Sequence, residues 1–299
     1  MSLVTHSSTI KLAGNLARSS IVFTQNMSNR SQIFNPFSNN DSPSSGLVQT
    51  QREMSSGGKE TWLQKFFTVD TTKTAHSDVV GSPNLYRLVY LSTIPERNED
   101  FVKLSTKMLS KFTEDRDDYR LVGAWQTRIG HGEEIVHLWQ YKNGYQSMDD
   151  ETGDDFYPDD KDFIEWKHKT RSMIKSTHSQ ICMEFGYFDE PRERSDKHIY
   201  ELRSYKLKPG SMIEWANHWA KGIEYRKSDN QNVAGMFTHI GELNMVHHIW
   251  AYKSFQDRNR IRRNSWANSG WSETVAKTVP LIKNIKSRVM TSLPYSWLK

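Results

Sequence analysis

The sequence predicts an α+β fold built twice in tandem, each copy an antiparallel sheet with helices on one face. Three observations predict it. A strand-like run halts at Pro209-Gly210 and yields to an amphipathic helix. Two more strand-like runs follow that helix directly. The same order, with matching residues, occurs about a hundred residues upstream.

The clearest stretch is His198-Ile199-Tyr200-Glu201-Leu202-Arg203-Ser204-Tyr205-Lys206-Leu207-Lys208-Pro209-Gly210. Apolar and charged residues alternate in its first half, the period of a half-buried strand. Pro209 supplies no ladder donor and Gly210 permits a sharp turn, so the strand stops there. Ser211 then stands as helix N-cap, with Glu214 three residues on for a capping box. Met212, Trp215, Ala216, Trp219 and Ile223 recur on one helical face, with Glu214, Lys221 and Tyr225 opposite. Residues 233–240 and 245–253 complete the order strand, helix, strand, strand.

Upstream, residues 85–90 lead to Pro95 and to a helical pattern with Phe101, Leu104, Met108 and Leu109. Strand-like runs 121–129 and 135–142 follow. Tyr86 and Pro95 answer Tyr200 and Pro209, and Ile129-Gly130 answers Ile240-Gly241. His137-Leu138-Trp139-Gln140-Tyr141-Lys142 answers His248-Ile249-Trp250-Ala251-Tyr252-Lys253. A repeat this long is a copied domain, since solenoid units run to roughly 20–50 residues. The first copy continues through an acidic, solvated loop to a helix over 162–177, with Phe163, Trp166 and Ile174 inward, and a closing strand over 181–188. The second continues through a helical stretch, 254–277, interrupted near Ser269-Gly270. Residues 281–290 are consistent with either helix or strand, and the tail with Pro294, Tyr295 and Trp297 anchors on the core or on a second subunit.

Each copy therefore reads β-α-β-β-α-β, the ferredoxin-like arrangement, which leaves one sheet face apolar and in need of cover. Two such sheets pack face to face, within one chain or between two. The expected segments are 1–58 (leader and linker), 59–83 (an aromatic pre-domain segment), 84–190 (first repeat) and 197–299 (second repeat). At 299 residues the chain also fits two domains of ~150 residues.

Hydrophobic residues make up 36% of the chain, a low figure that ten Trp, thirteen Phe and twelve Tyr offset with large burial units. No run of ~18 apolar residues occurs, so no transmembrane helix is expected; peripheral membrane contact is left open. Cys182 is the sole cysteine, which excludes an intrachain disulfide and a CxxC site and suits a reducing compartment. The net charge is +5. Its densest cluster, Arg258, Arg260, Arg262 and Arg263, reads as a solvated helix face ahead of a phosphate patch, and no nucleic-acid partner is expected.

The first forty residues contain no Asp or Glu, carry Lys11, Arg18 and Arg30 among many hydroxyls, and place Ile10, Leu12, Ala13, Leu16 and Ala17 in a short apolar pattern. That is the composition of a mitochondrial transit peptide. Beyond a polar linker, Trp62 to Val69 forms an isolated aromatic segment. It packs on the following domain or acts as a docking peptide, with Phe66 and Val69 spaced to fill two pockets beside a sheet edge.

His137, Trp139 and Tyr141 share one strand face, as do His248, Trp250 and Tyr252. They are the candidate barrel-pocket residues: a polar group in an aromatic cavity, for a haem or another small molecule, or histidines satisfied within a core. His247 points to the opposite face. No catalytic fingerprint occurs, so no catalytic residue, metal or resident cofactor is assigned, and a non-enzymatic role is expected.

From Tyr200 to Trp215, and through Ile240-Gly241-Glu242-Leu243, Val246-His247-His248-Ile249-Trp250-Ala251-Tyr252-Lys253 and Thr278-Val279-Pro280-Leu281, the chain closely resembles the NIPSNAP family. The likeness extends upstream, more loosely, to Asn84-Leu85-Tyr86, Leu121-Val122-Gly123-Ala124-Trp125 and Val136-His137-Leu138-Trp139, and to the segment around Trp62 and Phe66. It implies two dimeric α+β barrel repeats in a mitochondrial matrix protein. It also implies gathering at the outer-membrane surface on loss of potential and binding of autophagy adaptors and ubiquitin-like modifiers there; a homo-oligomer is expected separately, from the apolar sheet face that needs cover. The competing expectation is a haem- or small-molecule-binding enzyme of the monooxygenase-like barrel class, an analogy of fold.

Overall fold

Two four-stranded antiparallel sheets close on each other to make one eight-stranded barrel. The computed structural model describes residues 80–299 except 115–117, 154–156, 195 and 228–229, all within the second of the chain's two units, Glu60–Lys299. The segments expected as leader, linker and docking peptide, the last with Trp62, Phe66 and Val69, lie outside the described residues.

The first repeat runs β1 (Val80–Thr93), α1 (Asn98–Leu109), β2 (Tyr119–Ile129), β3 (Glu134–Tyr141), α2 (Tyr145–Glu151), α3 (Lys161–Thr170) and β4 (Ile174–Phe185). The second runs β5 (Ile199–Leu207), α4 (Met212–Gly222), β6 (Asn232–Ile240), β7 (Met245–Tyr252), α5 (Phe255–Trp266), α6 (Ser269–Thr278) and β8 (Ile282–Ser292). The sheets have the orders β4-β1-β3-β2 and β8-β5-β7-β6, and join where β2 meets β8 and β4 meets β6. The cover that each apolar face requires thus comes from the other repeat of the same chain.

The period-2 alternation sorts the side chains. Tyr86, Leu88, Val136 and Leu138 meet Tyr200, Leu202, Ile249, Ala251 and Met290 inside the barrel. Their neighbours in sequence face the helices: Leu85, Val89 and Trp139 pack with Phe101 and Phe163, and Tyr205 and Trp250 with Trp215 and Trp271. The β3 and β7 strands are buried along their whole lengths because both faces are covered. Inside the barrel the Trp125 ring lies over Gly123, where an added Cβ would fall 1.9 Å from it.

The seams between repeats are short, from Trp125↔Ser292 to Ile129↔Val289 and from Ile181↔Ile240 to Glu184↔Met236. Residues 174–180 and 282–288 therefore pair on one side only, with β1 and β5. Exposed Lys175, Lys283 and Lys286 line these edges, a placement that discourages pairing with a foreign strand.

Several sequence expectations are corrected. The helix expected over 162–177 ends at Thr170, and the strand expected over 181–188 begins at Ile174 and ends at Phe185. The overrun has a physical reason: residues 175–178 are an exposed edge whose polar side chains show no alternation. Ile174 therefore opens a strand and is no inward helix residue. The acidic loop starts as a helix, α2, and closes through a bridge between Thr152 and Pro158. The Ser211 hydroxyl donates to the Lys208 carbonyl and caps nothing, so no capping box forms with Glu214. The undecided stretch near 281–290 is a strand, β8. The tail anchors on its own core: Leu293 N–H donates to Ala124 O, Leu298 N–H to Val122 O, and Ala124 N–H to Ser296 Oγ. Among the described residues, no helix is long and apolar enough to cross a membrane.

Candidate functional site

Both third-strand aromatic sets sit between a sheet and its helices, and this corrects their assignment to a barrel pocket. His137, Trp139 and Tyr141 project from β3 towards α1 and α3, and His248, Trp250 and Tyr252 from β7 towards α4, α5 and α6. The reason is parity: Val136, Leu138 and Ile249 take the inward positions, so residues one step away must point outward. His247 faces inward, as its parity predicts.

A cavity of about 780 Å³ lies on the helix side of the first sheet. Its floor is Val89, Leu91, His137, Trp139, Phe163 and Trp166; its rim carries Lys167, His168, Arg171 and Lys175, all exposed. An apolar floor under a basic rim suits a ligand with an apolar body and an anionic end. The histidine at its base is neutral, since burial lowers its pKa to about 3. Its Nε2 lies 3.0 Å from the Tyr295 hydroxyl of the C-terminal tail. The Ser105 hydroxyl, close by, accepts from the Trp166 indole N–H at 2.9 Å.

The second repeat holds the matching space differently. The helices α3 and α6, and the turns Arg171–Met173 and Val279–Leu281 that follow them, occupy equivalent places. A smaller cavity, about 130 Å³, lies there. Trp219 stands where the first repeat has Ser105, and its ring centre is 4.5 Å from that of His248. Five more rings enclose His248: Phe185, Phe188, Tyr205, Trp215 and Trp250. Both of its ring nitrogens are buried without a hydrogen-bond partner, and burial, with Arg203 and Arg226 nearby, drives its pKa well below 6.5. Neither histidine fits an axial role to haem inside the barrel. Both side chains point away from the barrel interior, and His248 is ringed by aromatic side chains.

The barrel end holds a polar cluster that strand parity hinted at only through His247. Its Nδ1 lies 2.9 Å from Ser204 Oγ and its Nε2 lies 2.7 Å from Gln180 Oε1. Beside it, Arg288 of β8 donates to Glu134 of β3 at 2.5 Å, an ion pair between the repeats. Cys182 is buried within the barrel, where burial pushes its thiol up to about 12; it is no nucleophile. Among the described residues no group of three or more His, Cys, Asp or Glu is placed to hold a metal. The basic cluster is only partly a solvated helix face: Arg258 donates to buried Glu201 and Arg262 lines the smaller cavity.

The family model NIPSNAP matches residues 200–297. Protein NipSnap homolog 2 of Homo sapiens is 40% identical over 247 residues, covering 81% of this chain and 86% of that protein. Protein NipSnap homolog 1 of Danio rerio is 38% identical over 253 residues, covering 80% and 88%. Among solved structures, a putative monooxygenase from Fusobacterium nucleatum shares the fold with a TM-score of 0.56 at 10% identity, over 71% of this chain and 93% of that one. Another from Lactobacillus acidophilus gives 0.53 at 11%, over 70% and 93%. The fold likeness and the sequence likeness run across both repeats, and this chain belongs to the NIPSNAP family.

Proposed function

We propose that the chain is a mitochondrial scaffold that binds autophagy adaptors and ubiquitin-like autophagy modifiers and so marks damaged mitochondria. The observation that carries the reading is the packing of the barrel: Tyr86, Trp125, Tyr200, Leu202 and Met290 fill its interior. Recognition is left to the outer surface and to the segment preceding the barrel. Family membership and the acid-free, hydroxyl-rich leader support the same reading. The contact for the modifiers is the segment with Trp62, Phe66 and Val69, docking as an added strand. Self-association belongs to this proposal and is read by light scattering. Pull-down of purified modifiers by the full chain is expected to fall sharply in Phe66→Ala/Val69→Ala, and unchanged capture would refute the docking role. A fluorescent fusion that stays outside mitochondria would refute the location.

The 780 Å³ cavity favours a second reading, binding of an organic acid between the first sheet and α3. Decanoate is the probe. Saturable binding weakened in Arg171→Gln/Lys175→Gln supports it, and binding indifferent to both substitutions counts against it.

A further inference from the structure

Arg226 is 3% exposed, in the turn Ile223–Arg226 that follows α4. Its guanidinium lies 4.5 Å from the Trp250 ring centre and 5.3 Å from that of Trp271, and its Nη2 donates to the Tyr252 hydroxyl at 3.2 Å. No carboxylate among the described residues pairs with it. The buried carboxylate on this face, Glu201, is held by Arg203, Arg258 and Ser287. Buried atoms at the same place lack partners: Arg226 Nε and the indole N–H groups of Trp250 and Trp271. Buried donors and an uncompensated buried charge are costly unless something answers them.

Packing does not require the charge. In the first repeat the equivalent turn, Ser110–Thr113, puts Phe112 in this place, 5.7 Å from the Trp139 ring. Arg203, opposite His248 in the ladder, likewise answers Val89, opposite His137. The second repeat has therefore put guanidinium groups where the first is apolar. Arg203, Arg226 and Arg262 all line the cavity of about 130 Å³. A water's share of the liquid is roughly 30 Å³, so the space takes a head group of a few heavy atoms and no nucleotide. Trp266, Val279 and Ile285, each 44–53% exposed, form an apolar rim.

We propose that this cavity is an oxyanion site: Arg226 and Arg262 receive the phosphate or carboxylate head of an amphiphile whose apolar chain lies along Trp266, Val279 and Ile285. The site is separate from the scaffold and from the larger cavity, and either of those readings can fail without it.

The test is calorimetric titration of the full chain with hexyl phosphate, inorganic phosphate and hexanol. Hexyl phosphate is expected to bind saturably and more tightly than inorganic phosphate, with hexanol silent. Affinity should fall roughly tenfold or more in Arg262→Gln, as expected when one member of a charge-assisted pair is lost. The Arg226→Phe variant, which copies the first repeat, should lose binding and keep its native circular dichroism. Should Arg226→Phe misfold, half-buried Arg262 still reads the site. No saturable heat, hexanol binding as well as hexyl phosphate, or a folded Arg262→Gln that binds like the parent would each overturn the proposal.

Discussion

His137 and His247 are buried and neutral, with pKa values lowered to about 3; burial is the main cause, joined at His247 by Arg288 and His178. His248 is shifted in the same direction. An unfolded histidine titrates near 6.5, so the unfolded chain binds more protons between the two values. The sign follows: the stability these groups contribute is full above about pH 6.5 and is lost as pH falls towards 3. Each adds a slope of about 1.4 kcal/mol per pH unit in that window. Denaturant melts from pH 7 to 4 are expected to show this slope, reduced by about one proton in His247→Gln. The Glu134–Arg288 pair makes a second residue-scale prediction. Glu134→Gln strands a buried guanidinium and should cost about 3–5 kcal/mol, with part of the loss restored in Glu134→Gln/Arg288→Met.

The element with most leverage for its length is the C-terminal tail. After β8 it runs beside Val122 and Ala124, buries Leu293 and Tyr295 on the helix side, and places Leu298 in the barrel cluster. Ending the chain after Ser292 removes three buried apolar side chains at roughly 1.5–3 kcal/mol each and takes Tyr295 from His137. The truncated chain should melt at lower denaturant. The milder Tyr295→Phe should keep most of the stability and enlarge decanoate binding if the hydroxyl holds His137 in place. Tail and cavity alike were hard to foresee: Pro294, Tyr295 and Trp297 showed an anchor, while its seat depended on a residue 158 positions away in sequence.

At the scale of the molecule, the two repeats share one interior. Expressed separately, residues 80–190 and 197–299 would each expose the face carrying Tyr86 and Leu88 or Tyr200 and Leu202. Each half is expected to be insoluble or self-associated, and co-expression should restore a soluble one-to-one complex by size-exclusion chromatography. Two soluble monomers would contradict the shared core. The duplication has also diverged. The place that Trp219 holds beside His248 in the second repeat is taken beside His137 in the first by Tyr295 of the tail, and a large cavity lies on one side with a small cationic one on the other. Those differences, and not the common chain path, underlie the two ligand sites proposed above.

The order of elements, the duplication and the demand for a covered sheet face were legible in the residues, because alternation, Pro-Gly stops and helical spacing are local signals. The side of the sheet each third-strand histidine faces relative to the barrel was not, since period 2 tells which residues share a face and leaves open which face meets the helices. That choice waited on how the repeats closed together. The edge strand at 174–180 carries no local signal, because an exposed edge needs no apolar face. Tertiary structure alone brought Arg226 among Trp250, Trp271 and Arg262, since burial of a charge depends on which distant groups surround it.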